Sequence, residues 1–151
     1  MTKLPIDILL VDDEKDFVEM LALRLQEEGH HVRTAFSGQE ALQALADESE
    51  NTDVVVLDIK MPGMDGIETL QAIQNKYPII EVILLTGHGT IDTAVQGLKS
   101  GAFDYLLKPA DFPELIAKLE AARKRKYEQE ERIRLAEAKA IERRSGGLFM
   151  D

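Results

Sequence analysis

The sequence predicts an α/β fold, a doubly wound parallel sheet, on three observations. Short apolar runs recur along the chain, segments with helical apolar spacing alternate with them, and capping residues fall where one kind of segment gives way to the next. A parallel sheet covered by helices on both faces needs strands that are apolar throughout. The runs Ile6 to Val11, Val54 to Leu57, Ile79 to Leu85 and the weaker Phe103 to Leu107 have that character, and Val32 to Phe36 is a fifth, poorer strand.

Taken in order, the first run gives way to a helix in which Phe17, Leu21 and Leu25 recur every fourth residue, with Val18 and Met20 alongside. Gly29, after Glu27-Glu28, reads as its C-cap. Ser37, with Glu40 three residues on, reads as the N-cap of a second helix carrying Ala41, Leu42 and Leu45. Gly63 and Gly66 suit a tight turn after the third strand, before a helix with Ile67, Leu70 and Ile73 that Pro78 ends. Gly87 and Gly89 leave the loop after Thr86 free to rearrange. Strand and helix alternate five times, so right-handed crossovers are expected, with ligands bound beyond the carboxyl ends of the strands where strand order reverses.

From about Asp111 the chain reads as one long helix. Leu115, Ile116 and Leu119 supply an apolar stripe, followed by Ala121-Ala122 and a charged run to Arg144 with no Gly or Pro from 114 to 144. Such a helix is about 45 Å long, more than the sheet beneath it can cover. Ser145-Gly146-Gly147 is expected to end it and leave 145–151 as a flexible tail. Tyr127, Ile133, Leu135 and Ile141 do not keep a heptad repeat, so a stable coiled coil is not predicted.

The 151 residues suit one domain with an extension, and 44% hydrophobic residues are enough for a core. Lys and Arg total 18 against 28 Asp and Glu, a net charge of −10, which argues against nucleic acid or an anionic membrane as the main partner. Residues 1–113 carry 8 basic and 20 acidic side chains, whereas 114–144 carry 10 and 7, so the composition changes where the globular pattern ends. With no cysteine, disulfides, thiolate metal sites and cysteine nucleophiles are excluded. No stretch approaches the roughly 18 apolar residues of a membrane span, and a cytoplasmic protein is expected.

Polar residues gather where the strands end: Asp12-Asp13-Glu14 after the first, Asp58 after the third, Thr86 at the fourth and Lys108-Pro109 after the fifth. Singly, an Asp or Thr there also serves as a helix cap, Lys108 as a solvated lysine and Tyr105 as an ordinary core aromatic. Asp58 is different, because it closes the apolar run Val54 to Leu57, where a charge is costly without compensation. Carboxylates brought together by adjacent strands repel unless a cation shares the site, and an all-oxygen set suits Mg2+. Lys108 and the Thr86 hydroxyl fit a phosphoryl group, and Asp58 can act as its nucleophile. His30 and His31 read as a loop and a strand start, not as metal ligands.

These residues resemble the receiver domain of bacterial two-component response regulators over about residues 4–124. The likeness rests on Asp12-Asp13, on Asp58 followed by Met61-Pro62-Gly63-Met64-Asp65-Gly66, on Thr86-Gly87-His88-Gly89, and on Tyr105 with Lys108-Pro109. It implies a flavodoxin-like sheet of order 2-1-3-4-5 with five helices, the last extended. It further implies that Asp58 accepts phosphate from a phosphohistidine on a sensor histidine kinase or phosphotransfer protein. Asp12, Asp13, Asp58 and the Lys60 carbonyl would hold Mg2+, and Thr86 and Lys108 would bind the phosphoryl oxygens. Thr86 and Tyr105 would form the switch that reshapes the face of helix four, strand five and helix five. Lys60 and His88 would line the approach of water, and a cis peptide is expected before Pro109.

The chain is thus expected to be a phosphoacceptor and not an enzyme. The competing readings are a Mg2+-dependent phosphohydrolase with an aspartyl nucleophile and a flavin carrier. Against the first stands the isolated aspartate on strand three, and against the second the acidic stretch after strand one. The region after residue 124 is too short for an output domain, so 125–144 is a charged helical extension and DNA binding by this chain itself is not expected. Output would pass to a downstream protein partner, or through a homodimer formed on helices four and five. The stretch from Thr86 to Lys108 is most similar to receivers of enhancer-binding transcription regulators. The chain therefore reads as a stand-alone receiver or as the phosphorylation-controlled dimerisation module of a longer activator.

Overall fold

The structure, a computed structural model, describes residues 4–61, 63–87 and 91–149, with side chains as far as residue 145. Five strands, β1 (Asp7–Val11), β2 (His31–Ala35), β3 (Val54–Leu57), β4 (Glu81–Thr86) and β5 (Asp104–Leu107), form one sheet in the order β2-β1-β3-β4-β5. Every neighbouring pair is parallel. The helices are α1 (Lys15–Glu27), α2 (Gly38–Glu48), α3 (Gly66–Lys76), α4 (Ile91–Lys99) and α5 (Phe112–Phe149). The doubly wound α/β fold, the flavodoxin-like strand order and the five helices are as expected.

Alternation along each central strand builds two cores. Leu9, Val11, Val55, Leu57, Val82 and Leu84 point to one face and pack with Ala41 and Leu45 of α2 and with Ile67, Leu70 and Ile73 of α3. Ile8, Leu10, Val54, Val56, Ile83 and Leu85 point to the other and meet Val18, Ala22 and Leu25 of α1 and Leu115, Leu119 and Ala122 of α5. Because β3 is buried along its whole length, its four residues must all be apolar, which is why it shows no polar alternation.

The helix ends follow the capping chemistry in the sequence. Gly29 adopts φ +96°, and the amides of Gly29 and His30 return to the carbonyls of Gln26 and Leu25, the double closure of a Schellman motif. The Ser37 hydroxyl accepts from Glu40 N at 3.1 Å, while the Glu40 carboxylate accepts from Phe36 N at 3.2 Å. Asp65 caps α3 through Glu68 N at 2.8 Å, a role the sequence reading did not assign. That helix closes at Lys76, two residues ahead of Pro78.

One expectation needs correcting. The terminal helix does not stop at Ser145-Gly146-Gly147 but runs to Phe149, 38 residues in all, about 57 Å. Among the described residues those with positive φ are Gly29, Gly63 and Gly101, so no left-handed cap closes the helix at Gly146 or Gly147. A glycine inside a helix costs only about 1 kcal/mol against alanine, too little by itself to end one already propagating. The flexible tail expected over 145–151 is therefore helical through Phe149, and Met150 and Asp151 lie outside the described residues.

Candidate functional site at the carboxyl ends of the strands

The order of the sheet reverses between β1 and β3, and the carboxyl ends of these two strands lie side by side, with Val11 paired to Leu57. The next residue on each strand is an aspartate, and Asp58 N donates to Val11 O at 3.0 Å. Asp12 and Asp58 are therefore brought together by strand register, although 46 residues apart in sequence. Both are buried, as is Thr86 at the end of β4. Lys108 follows β5 and arrives through Lys108 N donating to Thr86 O at 3.0 Å. The Lys108–Pro109 peptide is cis, as expected.

The Lys108 ammonium sits 2.5 Å from Asp12 Oδ2 and 3.0 Å from Glu14 Oε1, and lies 4.3 Å from the centre of the Phe17 ring. Burial pulls its pKa down, but hydrogen bonds to Asp12 and Glu14 outweigh that and hold it above the ordinary lysine value. The Asp58 pKa is raised as well, which for a carboxylate favours the neutral form. Burial raises its pKa most, and the charge of Asp12 raises it further, against a hydrogen bond from Thr86, the charge of Lys108 and the backbone amide of Ile59. Asp58 Oδ1 is fully buried and has no hydrogen-bond partner. Such an atom is costly to bury and marks a place built for a group that arrives later.

Oxygens of Asp12, Glu14 and Asp58 all lie within 4.8 Å of one another, the one group among the described residues that could hold a metal ion. The set is all carboxylate, open on the exposed Glu14 side, and contains the orphaned Asp58 oxygen. It therefore fits a hard divalent cation that keeps waters. The carboxylates expected here are Asp12, Asp13 and Asp58; the group formed is Asp12, Glu14 and Asp58, with Asp13 exposed at a bend between the first two. Glu14 and Phe17 are the functional neighbours that sequence reasoning missed. The signal for Glu14 was its place as the third acid of Asp12-Asp13-Glu14, whereas nothing local announces a ring 91 positions from the lysine it faces.

Lys60 is exposed, two residues beyond Asp58. Gly66 holds the loop between them against α3. Its amide donates to Ile59 O at 2.7 Å, and a Cβ there would come within 2.2 Å of Asp58 O. Tyr105 is partly exposed at 37%, on the side of β5 opposite buried Leu106. His88 and Gly89 lie outside the described residues, as does Pro62. His30 is buried, with Nδ1 accepting from Ile6 N at 3.0 Å, and the His31 ring lies 2.9 Å from Asp7 Oδ1, so both do structural work.

No helix among the described residues is long and apolar enough to cross a membrane. Residues 8–120 match the family model described as the response regulator receiver domain. A putative NtrX-like response regulator of Rickettsia bellii (strain RML369-C) is 41% identical over 119 residues, which are 78% of this chain and 24% of the relative. The transcriptional regulatory protein ZraR of Escherichia coli (strain K12) is 43% identical over 122 residues, 81% of this chain and 27% of the relative. The chain thus spans about a quarter of the length of these curated relatives. Among solved structures, the receiver domain of NtrX from Brucella abortus superposes with a TM-score of 0.73 at 40% identity, covering 78% of this chain and 98% of that one. A receiver domain protein from Clostridium thermocellum gives 0.77 at 37% identity, with 81% and 97% covered. With sheet order, strand-end chemistry and sequence in agreement, the chain belongs to the response regulator receiver family of two-component systems.

Proposed function

We propose that this chain is the phosphoacceptor of a two-component phosphorelay, with Asp58 the residue phosphorylated. The observation that carries this is the Asp58 carboxylate, buried at the strand-order switch, with one oxygen unpartnered and Asp12, Thr86 and Lys108 around it. An Asp58 oxygen forms a bond to phosphorus while the phosphorus–nitrogen bond of a donor phosphohistidine breaks. The electron pair leaves on the imidazole of the sensor histidine kinase or phosphotransfer protein, whose other ring nitrogen carries a proton in the donor, so the ring departs neutral. Lys108 and the Thr86 hydroxyl meet the phosphoryl oxygens, a positive charge and a donor aimed at charge that Asp58 alone would repel.

Asp12 and Asp58 are the buried oxygen ligands for Mg2+, with Asp13 and the Lys60 carbonyl completing the set by likeness to the family. Mg2+ supplies charge neutralisation among the carboxylates and for the transferred group. The new phosphate carries about −1.5 to −2 charges, and Thr86, already hydrogen-bonded to Asp58, shifts its hydroxyl to the phosphoryl oxygens. Tyr105 follows Thr86 and remakes the face where Ile91, Val95, Leu98, Tyr105 and Leu107 are exposed. That face is the docking surface for a downstream protein or a second copy of the chain. The length of the relatives, one of them a transcriptional regulatory protein, supports a role as the receiver portion of a longer, cytoplasmic regulator.

Incubation with acetyl phosphate and Mg2+ tests the proposal. One phosphate should be incorporated per chain, abolished by Asp58→Asn, without sustained turnover. Continuous hydrolysis of the donor would instead make the chain a phosphohydrolase.

A further inference from the structure

Glu14 stands at the N-cap of α1 with extended backbone, yet its side chain makes no capping hydrogen bond. Glutamate is a poor N-cap, and here its carboxylate reaches Lys108, 94 residues away, at 3.0 Å. The Lys108 side chain is only 13% exposed and its ammonium is held by Asp12, Glu14 and the face of Phe17, so a new anion competes with these partners. The three are not equal. Asp12 is 5% exposed, closer to the ammonium, and braced by Glu14 N donating to its other oxygen at 3.0 Å. Phe17 is an apolar floor. The Glu14 side chain is 59% exposed and gains water when it lets go, so it is the partner given up at least cost.

We propose that Glu14 is the resident partner of Lys108 and is displaced by the phosphoryl group on Asp58, which makes it a positioning residue that limits how fast the site accepts phosphate. The inference rests on the phosphoacceptor reading above. Besides competing for Lys108, Glu14 places a third carboxylate within 4.8 Å of Asp12 and Asp58, in the path of an anionic donor. Its exchange with phosphate leaves the Asp12 contact intact, so the lysine swings about one fixed partner and does not detach.

The test uses the full chain as wild type, Glu14→Gln, Lys108→Ala and the double variant, with acetyl phosphate and Mg2+. Glu14→Gln should raise the rate of phosphate incorporation at limiting donor about two- to five-fold, the scale of one exposed ion pair. Tm should stay within about 2 °C, because the side chain is mostly solvated, and rates are compared at Mg2+ concentrations that saturate each protein. The rate gain should vanish in the Lys108→Ala background. An unchanged or slower rate in Glu14→Gln overturns the proposal, as does a gain that persists without Lys108, which would reflect bulk charge alone. If the wild type takes up no phosphate, the phosphoacceptor reading fails first and this one with it.

Discussion

Lys126, in the middle of the terminal helix, places its ammonium 2.9 Å from Asp53 Oδ1, with side chains 10% and 6% exposed. Asp53 and Asp58 flank the same four-residue strand, so β3 carries a buried carboxylate beyond each end. One is neutralised permanently by α5, and the other lies beside Asp12 and the shared Lys108. Burial pushes the Lys126 pKa down, but Glu130 and Asp53 hold it above the ordinary value. The pair roots α5 on the sheet. Breaking it with Lys126→Met should cost about 3 kcal/mol, since a buried carboxylate loses its counter-ion. Asp53→Asn combined with Lys126→Met should recover part of that loss, because Asn still accepts from Asp7 N, which donates to Asp53 Oδ2 at 3.0 Å. Urea unfolding of the double-mutant cycle measures both values.

Stability should fall on the acid side of neutrality through His30. Burial, and then the charge of Arg123, hold its pKa below 6.5, and neutral Nδ1 is needed to accept from Ile6 N. The unfolded chain binds a proton more readily than the folded one. The contribution of His30 is therefore complete above about pH 6.5 and is lost as pH falls through the lower folded value. Thermal melts between pH 7.5 and pH 5.5 should show a decline that is shallower in His30→Gln.

Gly66→Ala should impair both folding and phosphate uptake. The added Cβ meets backbone atoms, 2.2 Å from Asp58 O and 2.5 Å from Ile59 Cα, which cannot rotate aside. Overpacking of this kind costs about 1–3 kcal/mol, and the shift falls on the residue proposed to be phosphorylated. A variant with wild-type Tm and wild-type incorporation of phosphate would contradict the packing argument.

Mg2+ should raise the melting temperature with a saturating dependence on concentration, by about 2.7 kcal/mol of stability at a hundred times Kd. Asp58→Asn removes a buried carboxylate from the group of Asp12, Glu14 and Asp58 and should weaken that response. Calorimetry of wild type and variant side by side provides the measurement.

Deleting residues 131–151 should leave the melting temperature nearly unchanged. Every residue from Glu131 to Ser145 is exposed, and the Arg134–Glu131 pair joins neighbours on the same helix. Truncation before Lys126 should be far more damaging, because it removes the partner of Asp53. Tryptic cleavage at Arg132 and Arg134 should precede cleavage at Lys126.

Much was legible because the information was local. The period of apolar residues marked strands and helices, Gly29 and Ser37 marked helix ends, and a charge closing the run Val54 to Leu57 marked Asp58 as unusual. The false stop at Gly146-Gly147 shows the limit of local punctuation, since a penalty of about 1 kcal/mol per glycine does not by itself end a helix.

The sequence by itself determined the fold class, the strand ends as the place for chemistry and the identities of Asp12, Asp58, Thr86 and Lys108, because these follow from pattern and residue type. Only the tertiary structure decided which carboxylates share Lys108, that Glu14 lies beside Asp12 and Asp58, and that Lys126 is a buried counter-ion. The reason is physical: burial and charge pairing are set by groups tens of residues apart, brought within 3 Å only when the sheet register is complete.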